Sequence, residues 1–281
     1  MSSETLTASH TKVLIDGDGI IYRCGFAVES TKYLVLDING KFRIFDDARG
    51  ANGFLREIGE DTGATRWSRK EIEPVENALH LVDVVMDSLN VLYGHDRSVY
   101  LTPSIGNYRE RIATVAKYKG NRDFVARPTY YKEVTDYLVE KYGAEYAVGQ
   151  EADDSLGISL TSISGAVCVS FDKDLLQVPG RHYNWVEKTE CVVGVAEGKR
   201  RFWQQVLSGD ATDNVPGASG IGAKKAEQLI SGVRGDKEAW NAVLEVYTEI
   251  YGKEEGYKRA LETARLVYIR RKPEEIWAPP Y

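Results

Sequence analysis

At 281 residues, with a hydrophobic fraction of 43% and a charged fraction of 28%, the chain has an ordinary globular composition, enough for one large domain or two modest ones. No apolar run is long enough to span a membrane, and the polar start MSSETLTASHTK lacks the core of a signal peptide. Three scattered cysteines, Cys24, Cys168 and Cys191, exclude a disulfide framework and fit buried thiols in a reducing, cytoplasmic setting, and four histidines without ligand spacing argue against a zinc site.

Residues 12–16, KVLID, form a short apolar run ending in DGDG, which predicts a buried strand and a tight turn. A helix is expected over Ile20 to Ala27. YLVLDINGKFRIF (33–45) predicts a hairpin around Asn39-Gly40, and 46–70 shows no period and is expected to be loop. Pro74 opens an amphipathic helix with Val75, Leu79, Val82, Met86 and Leu89 on one side. SVYLT (98–102) is a second strand, and PTYYKEVTDYLVEKYG (128–143) a helix between Pro128 and Gly143. EYAV (145–148) and AVCVSFD (166–172) supply two more strands. The alternation predicts an α/β fold with a mainly parallel central sheet flanked by helices. Helices and glycine-rich turns dominate after Arg200, so a core of 1–199 and a helical subdomain of 200–281 are expected.

Sites in such sheets gather at the carboxyl ends of strands. Asp16 ends the first strand, with Asp18 two residues on. QEADDS (150–155) follows the third with Glu151, Asp153 and Asp154, and Asp172 and Asp174 follow the fourth. With Asp210 and Asp213 they form an oxygen-only donor set that suits a hard divalent cation such as Mg²⁺. Taken singly, each cluster also reads as a solvated loop or an acidic helix start.

The net charge of −6 argues at first sight against a nucleic-acid partner, but the charge is uneven. Residues 108–127 hold Arg109, Arg111, Lys117, Lys119, Arg122 and Arg127 against Glu110 and Asp123, with Tyr108, Tyr118 and Phe124 interleaved. Cations can track a phosphate backbone and aromatics can stack on unpaired bases. Farther on, GDATDNVPGASGIGAKKAEQL (209–229) sets Gly217, Gly220, Ile221 and Gly222 before a helix opening with Lys224 and Lys225, a helix-hairpin-helix pattern spanning 208–231. Backbone amides in such a turn can meet a phosphate directly.

Five stretches together, VLIDGDG (13–19), YKGNRD (118–123), EADD (151–154), SFDKDLLQVPG (170–180) and GDATDNVPGASGIGAKKA (209–226), resemble the flap endonuclease / 5′→3′ exonuclease family in order and spacing. The tail ARLVYIRRKPEEIWAPP is similar to that of the exonucleases of short-tailed bacteriophages. The resemblance implies a parallel-sheet nuclease core (1–199) with a helical arch at about 103–128. It also implies a duplex-gripping helix-hairpin-helix, in some members with bound K⁺. It implies two Mg²⁺ or Mn²⁺, with Asp16, Glu151, Asp153 and Asp172 on the first, Asp174, Asp210 and Asp213 on the second, and Asp154 in an outer shell. Lys119 and Arg122 match residues that contact the scissile phosphate; Arg109, Arg111, Lys117, Tyr118, Gly217, Gly220, Ile221, Gly222, Lys224 and Lys225 are the expected DNA contacts.

The implied function is a monomeric, metal-dependent 5′→3′ exonuclease or 5′ flap endonuclease of DNA, with RNA in hybrids as a further substrate. Its partners are duplex DNA with a 5′ end or flap and the single-stranded 5′ arm, met in phage replication in a host cytoplasm. The sequence departs from the family at Thr102, Pro103 and Ser104, where an aspartate is usual; Asp18 or a water is the expected substitute. The alternative is a DNA-structure binding protein with a weakened nuclease site.

Overall fold

A computed structural model describes residues 11–36, 41–58 and 65–281. In chain order these form β1 (Val13–Asp16), α1 (Gly17–Ala27), β2 (Glu29–Leu36), β3 (Phe42–Phe45), α2 (Ala48–Ile58), β4 (Thr65–Ile72), α3 (Val75–Tyr93), β5 (Arg97–Leu101) and α4 (Tyr108–Ile112). Then come α5 (Tyr131–Tyr142), β6 (Glu145–Tyr146), α6 (Ala152–Ser162), β7 (Val167–Val169), β8 (Gly180–Asn184), β9 (Thr189–Val193), α7 (Val195–Ser208), β10 (Gly209–Asp210), β11 (Val215–Pro216), α8 (Ala223–Ile230), α9 (Asp236–Tyr251) and α10 (Lys253–Val267). By compactness the chain divides into one unit of residues 1–19, 87–126 and 139–281 and another of 20–86 and 127–138. That division differs from a cut at residue 200, which falls inside α7.

The first unit holds a six-stranded sheet in the order β6-β5-β1-β7-β8-β9, parallel except where β9 pairs antiparallel with β8. The central strands VLID and VCV are buried at every position, as a sheet covered on both faces requires. Leu14, Leu156, Leu160, Cys168, Leu175, Val178 and Ile269 form a core beneath α6. A second core joins helices α7 to α10 through Phe202, Trp203, Val206, Trp240, Val243, Tyr247 and Ala264. No described helix is long and apolar enough to cross a membrane.

The second unit contains an antiparallel sheet, β3-β2-β4, with Ala51 and Phe54 of α2 packed on Val35. Both arms of the expected 33–45 hairpin are present and paired, Leu36 opposite Phe42; its Asn39-Gly40 turn lies outside the described residues. The expectation of loop over 46–70 fails, because α2 and β4 occupy most of that stretch. Gly50, Gly53 and two arginines hide the helical spacing of Ala51, Phe54, Leu55 and Ile58, while polar β4 is held by pairing with β2 along its whole length.

Three further differences bear on the site. The strand expected at 145–148 shrinks to two edge residues, and the one at 166–172 ends at Val169, releasing Ser170 to Asp172 from the sheet. Residues 103–128 form no continuous helix: α4 and a 3₁₀ turn at Gly120–Phe124 are joined by irregular chain. Gly106 at φ +94° and Lys119 at φ +55° interrupt any longer helix there. Of the cysteines, Cys24 and Cys168 are buried as expected, but Cys191 is exposed on edge strand β9.

Candidate metal and nucleic-acid site

Strand β1 delivers Asp16 to the carboxyl edge of the sheet, where it is nearly buried. One carboxylate oxygen accepts the Gly19 N–H at 3.2 Å, and the other accepts the Ser170 hydroxyl at 2.8 Å. Ser170 Oγ in turn accepts the Asp172 N–H at 2.9 Å, so one hydroxyl couples the acid ends of β1 and β7. Burial, reinforced by Asp18 and Asp172, pushes the Asp16 carboxyl up to about 7. Asp153 is driven well above the usual range by burial together with Asp16 and Asp172.

Asp18 answers the departure at Thr102–Ser104. Both of its oxygens lie 3.2 Å from the Thr102 N–H, which places the carboxylate at the end of β5, where the sequence itself has no acid. Burial pushes Asp18 up as well, against the pull of the Thr102 hydrogen bonds. Thr102 Oγ1 also accepts the Ala152 N–H at 3.0 Å, tying the β5 end to the start of α6.

The EADD stretch divides into separate roles. Glu151 is the N-cap of α6 and is buried; burial alone would raise it, but Lys119 and Arg109 outweigh that and hold it below the usual range. Asp153 faces Asp16 and Asp172. Asp154 is 0% exposed and takes a bidentate grip from Arg109 at 2.5 and 2.9 Å, the Arg270 N–H at 3.0 Å and the Glu151 N–H at 3.2 Å. Its lone pairs are committed to protein donors, so Asp154, expected in the outer shell of a metal, anchors the head of α6 to Arg109 and the tail.

A second group lies on the 3₁₀ turn Asp174–Gln177 and the hairpin β10–β11. Asp174 donates its N–H to Asp172 at 2.8 Å, and burial with Asp172 and Asp210 pushes its carboxyl up to about 7. Asp210 accepts the N–H groups of Thr212 at 2.8 Å and Asp213 at 3.2 Å. The YKGNRD stretch lies along the loop that follows, with the Lys119 N–H on Asp213 O at 2.8 Å and Asn121 on Ala211 O at 2.8 Å. Lys119 pairs with Glu151 and sits 3.5 Å from Asp213, and Arg122 pairs with Asp213. Burial would lower Lys119, but Glu151 and Asp213 prevail and raise it.

Several expected DNA contacts do not reach the surface. Arg109 is 2% exposed, with Nε on Leu266 O at 2.8 Å and Nη2 on Tyr268 O at 2.7 Å beside its grip on Asp154. Tyr118 is buried with its hydroxyl 2.8 Å from carboxylate oxygens of both Glu151 and Asp213, so its ring is no base-stacking platform. The Ile221 side chain belongs to the helical core. Gly217 is a packing glycine, since a Cβ there would meet the Ser208 carbonyl carbon at 2.3 Å. Arg111, Lys117, Gly220, Gly222, Lys224 and Lys225 do lie at or near the surface. Gly220 takes φ +76°, and Gly222 caps α8 directly before Lys224 and Lys225. Ser170, Gln177 and Arg270 have no role assigned by the sequence, and Thr102 figures there only as a departure, because each acts on a partner far along the chain. Ser170 and Gln177 stand inside SFDKDLLQVPG and Arg270 inside the tail ARLVYIRRKPEEIWAPP, but those stretches give them no partner.

The donor set fits a hard divalent cation: oxygen ligands only, with burial and mutual repulsion raising Asp16, Asp153 and Asp174, a cost that a bound cation would offset. Among the described residues no three acids already converge at ligating distance. Lys119 and Arg122 instead supply the countercharge for Glu151 and Asp213.

No family model matches the chain. It is 31% identical over 153 residues to flap endonuclease Xni of Shewanella halifaxensis, an alignment covering 49% of this chain and 60% of that relative. It is 30% identical over 126 residues to the exonuclease of Escherichia phage T7, covering 41% of each. The chain thus spans less than two thirds of the length of these relatives. In fold it is similar to the T5 5′-exonuclease, in a structure with bound zinc ions, at a TM-score of 0.59 over 92% of this chain and 90% of that one, with 14% identity.

Proposed function

We propose that this chain, which belongs to the flap endonuclease / 5′→3′ exonuclease family, hydrolyses phosphodiester bonds of DNA from or near a 5′ end. The observation that carries the reading is the convergence of Asp16, Asp18, Asp153 and Asp172 at one sheet edge, close enough to repel one another, with Lys119 alongside. Asp16, Glu151, Asp153 and Asp172 would hold one Mg²⁺ or Mn²⁺, and Asp174, Asp210 and Asp213 a second. Asp18 would supply the carboxylate missing from the end of β5. Such ions would supply Lewis-acid stabilisation of the negative charge that develops when water displaces a phosphodiester oxygen.

The chain's own residues do the positioning. Lys119 and Arg122, released from Glu151 and Asp213 once those acids have another countercharge, would neutralise charge developing on the scissile phosphate. Amides of Gly220 to Gly222, with Lys224 and Lys225, would seat downstream duplex by its backbone, without reading bases, and a K⁺ ion at this hairpin would share that task. The substrate is then duplex DNA with a 5′ end or flap and a single-stranded 5′ arm, with RNA:DNA hybrids as a further class, acted on by a cytoplasmic monomer.

Asp153→Ala and Asp172→Ala should each abolish Mg²⁺-dependent cleavage of a 5′-labelled duplex while duplex binding in EDTA persists. Turnover equal to the parent protein in both variants would overturn the metal assignment. The alternative, a DNA-structure binding protein with a decayed site, draws on the missing acid at Thr102–Ser104. It predicts duplex binding with no cleavage at any Mg²⁺ concentration.

A further inference from the structure

The stretch SFDKD contributes Asp172 and Asp174 to the carboxylate set, but the residue between Ser170 and Asp172 has no part in it. Phe171 follows the end of β7, outside the sheet, and is 36% exposed. An exposed apolar side chain is ordinary in itself. This one stands at the acids. A Cβ built on Gly19 would lie 3.0 Å from Phe171 Cε1, 3.3 Å from its Cζ and 3.2 Å from Asp16 Oδ2, so ring and carboxylate flank one gap that glycine leaves open.

The ring is also held in place. Ser170 donates its hydroxyl to Asp16 at 2.8 Å and its N–H to Tyr183 O at 3.2 Å, and its Oγ accepts the Asp172 N–H at 2.9 Å. The backbone on both sides of Phe171 is thereby fixed. Trp185, in the turn between β8 and β9, meets the ring in a T-shaped contact with centroids 5.7 Å apart and planes at 62°. Such a contact covers at most one face of Phe171, and a residue this exposed keeps a face on which another ring can stack. An aromatic side chain fixed in advance loses little freedom when a ligand settles on it.

The chemistry of the site indicates what that ligand is. A phosphodiester brought to Asp16 carries a nucleobase one sugar away, and every base presents a π-face whatever its identity. Tyr118, also beside the acids, is buried with its hydroxyl on Glu151 and Asp213 and cannot meet a base. We propose that Phe171 stacks on a base adjoining the scissile phosphate and so helps to set which phosphodiester reaches the acids. The choice of a nucleotide rests on the nuclease reading; the placement of the ring beside Asp16 does not.

The test is a cycle of protein and substrate changes, read by fluorescence anisotropy with Ca²⁺ in place of Mg²⁺. The probe is a duplex with a short single-stranded 5′ arm, labelled with fluorescein at its far end. Each nucleotide around the junction is replaced in turn by an abasic tetrahydrofuran residue. The parent protein should lose about tenfold in affinity at one position, the loss expected for one stacked base. Phe171→Ala should lose about tenfold on the intact DNA and nothing further when that position is abasic. Phe171→Leu, which keeps an apolar contact for Trp185 but no ring, should match it, and Phe171→Tyr should match the parent.

Losses that simply multiply, with the alanine variant suffering from the abasic position as much as the parent does, would overturn the proposal, because the ring would then act only through local packing. So would a parent protein indifferent to every abasic position. Cleavage of the same substrates in Mg²⁺ separates the two readings. A parent protein that shows the full cycle but never cleaves sinks the proposed function and leaves Phe171 its base. One that cleaves, yet binds intact and abasic DNA alike, sinks the role of Phe171 alone.

Discussion

Asp16 is held under opposing demands: β1 buries its carboxylate, and Asp18 and Asp172 add like charge, yet Ser170 and Gly19 donate hydrogen bonds to it. The balance leaves its folded pKa near 7, above the unfolded value. Below about pH 4 both states are protonated and nothing is lost. Between there and about pH 7 the unfolded chain releases the proton that the folded protein keeps, so stability falls as pH rises, the reverse of a salt-bridged aspartate. Asp174, also near 7 through burial, Asp172 and Asp210, adds to the same trend. Thermal melts in EDTA should therefore show Asp16→Asn raising Tm at pH 7.5 but not at pH 4, a gain on the order of a few kcal/mol. Mg²⁺ should raise the parent Tm far more at pH 7.5 than at pH 5, because protons compete for the same oxygens. A pH-independent Tm difference would refute this account.

At the scale of elements, the EADD turn at the head of α6 is anchored by chain far away in sequence. Arg109, from α4, spans Asp154 and the carbonyls of Leu266 and Tyr268, at the C-terminal end of α10. Gln177, ending the turn that bears Asp174, exchanges hydrogen bonds with Val267 O at 2.8 Å and the Ile269 N–H at 3.1 Å. The same strand of tail passes so close to α6 that a Cβ on Gly157 would meet Arg270 O at 2.5 Å. Arg109→Ala strands a buried carboxylate and two carbonyls, and should cost about 3–5 kcal/mol of unfolding free energy in urea. Arg109→Ala combined with Asp154→Asn should cost less than the sum of the single changes. Additivity would show that the pair is not coupled. A DNA-contacting arginine would behave differently, weakening binding without loss of stability.

For the whole molecule, the net charge of −6 is a poor guide to the proposed DNA-facing surface, because many acids are gathered into one site. Lys224 and Lys225 are exposed at the head of α8, where fixed charge adds to the amides of the hairpin. Lys224→Glu should weaken duplex binding uniformly across sequences and reduce the slope of log K against log salt by roughly one or more, since a phosphate contact becomes a repulsion. A loss confined to certain sequences would mean that this helix reads bases. A salt titration with two unrelated duplexes makes the distinction.

The alternation of apolar runs and helical periods was sufficient to predict a parallel sheet with Asp16, the EADD turn and Asp172 at one edge, because strand order and handed crossovers leave few alternatives. The glycine spacing before Lys224 likewise announced a turn leading into a helix, since backbone geometry there is local. The partner of Asp154 was not legible, since nothing near it in sequence is basic and the arginine that grips it lies 45 positions earlier. The same holds for the burial of Arg109 and Tyr118, which from composition alone read as a cationic, aromatic surface, and for that of Ile221, expected as a hairpin contact; Asp18 at the end of β5, by contrast, is one of the two substitutes expected there. Local pattern determines which residues can form a strand, a turn or a cap. Only packing decides which face of each element is dry, and therefore which charges meet one another and which are left for a ligand.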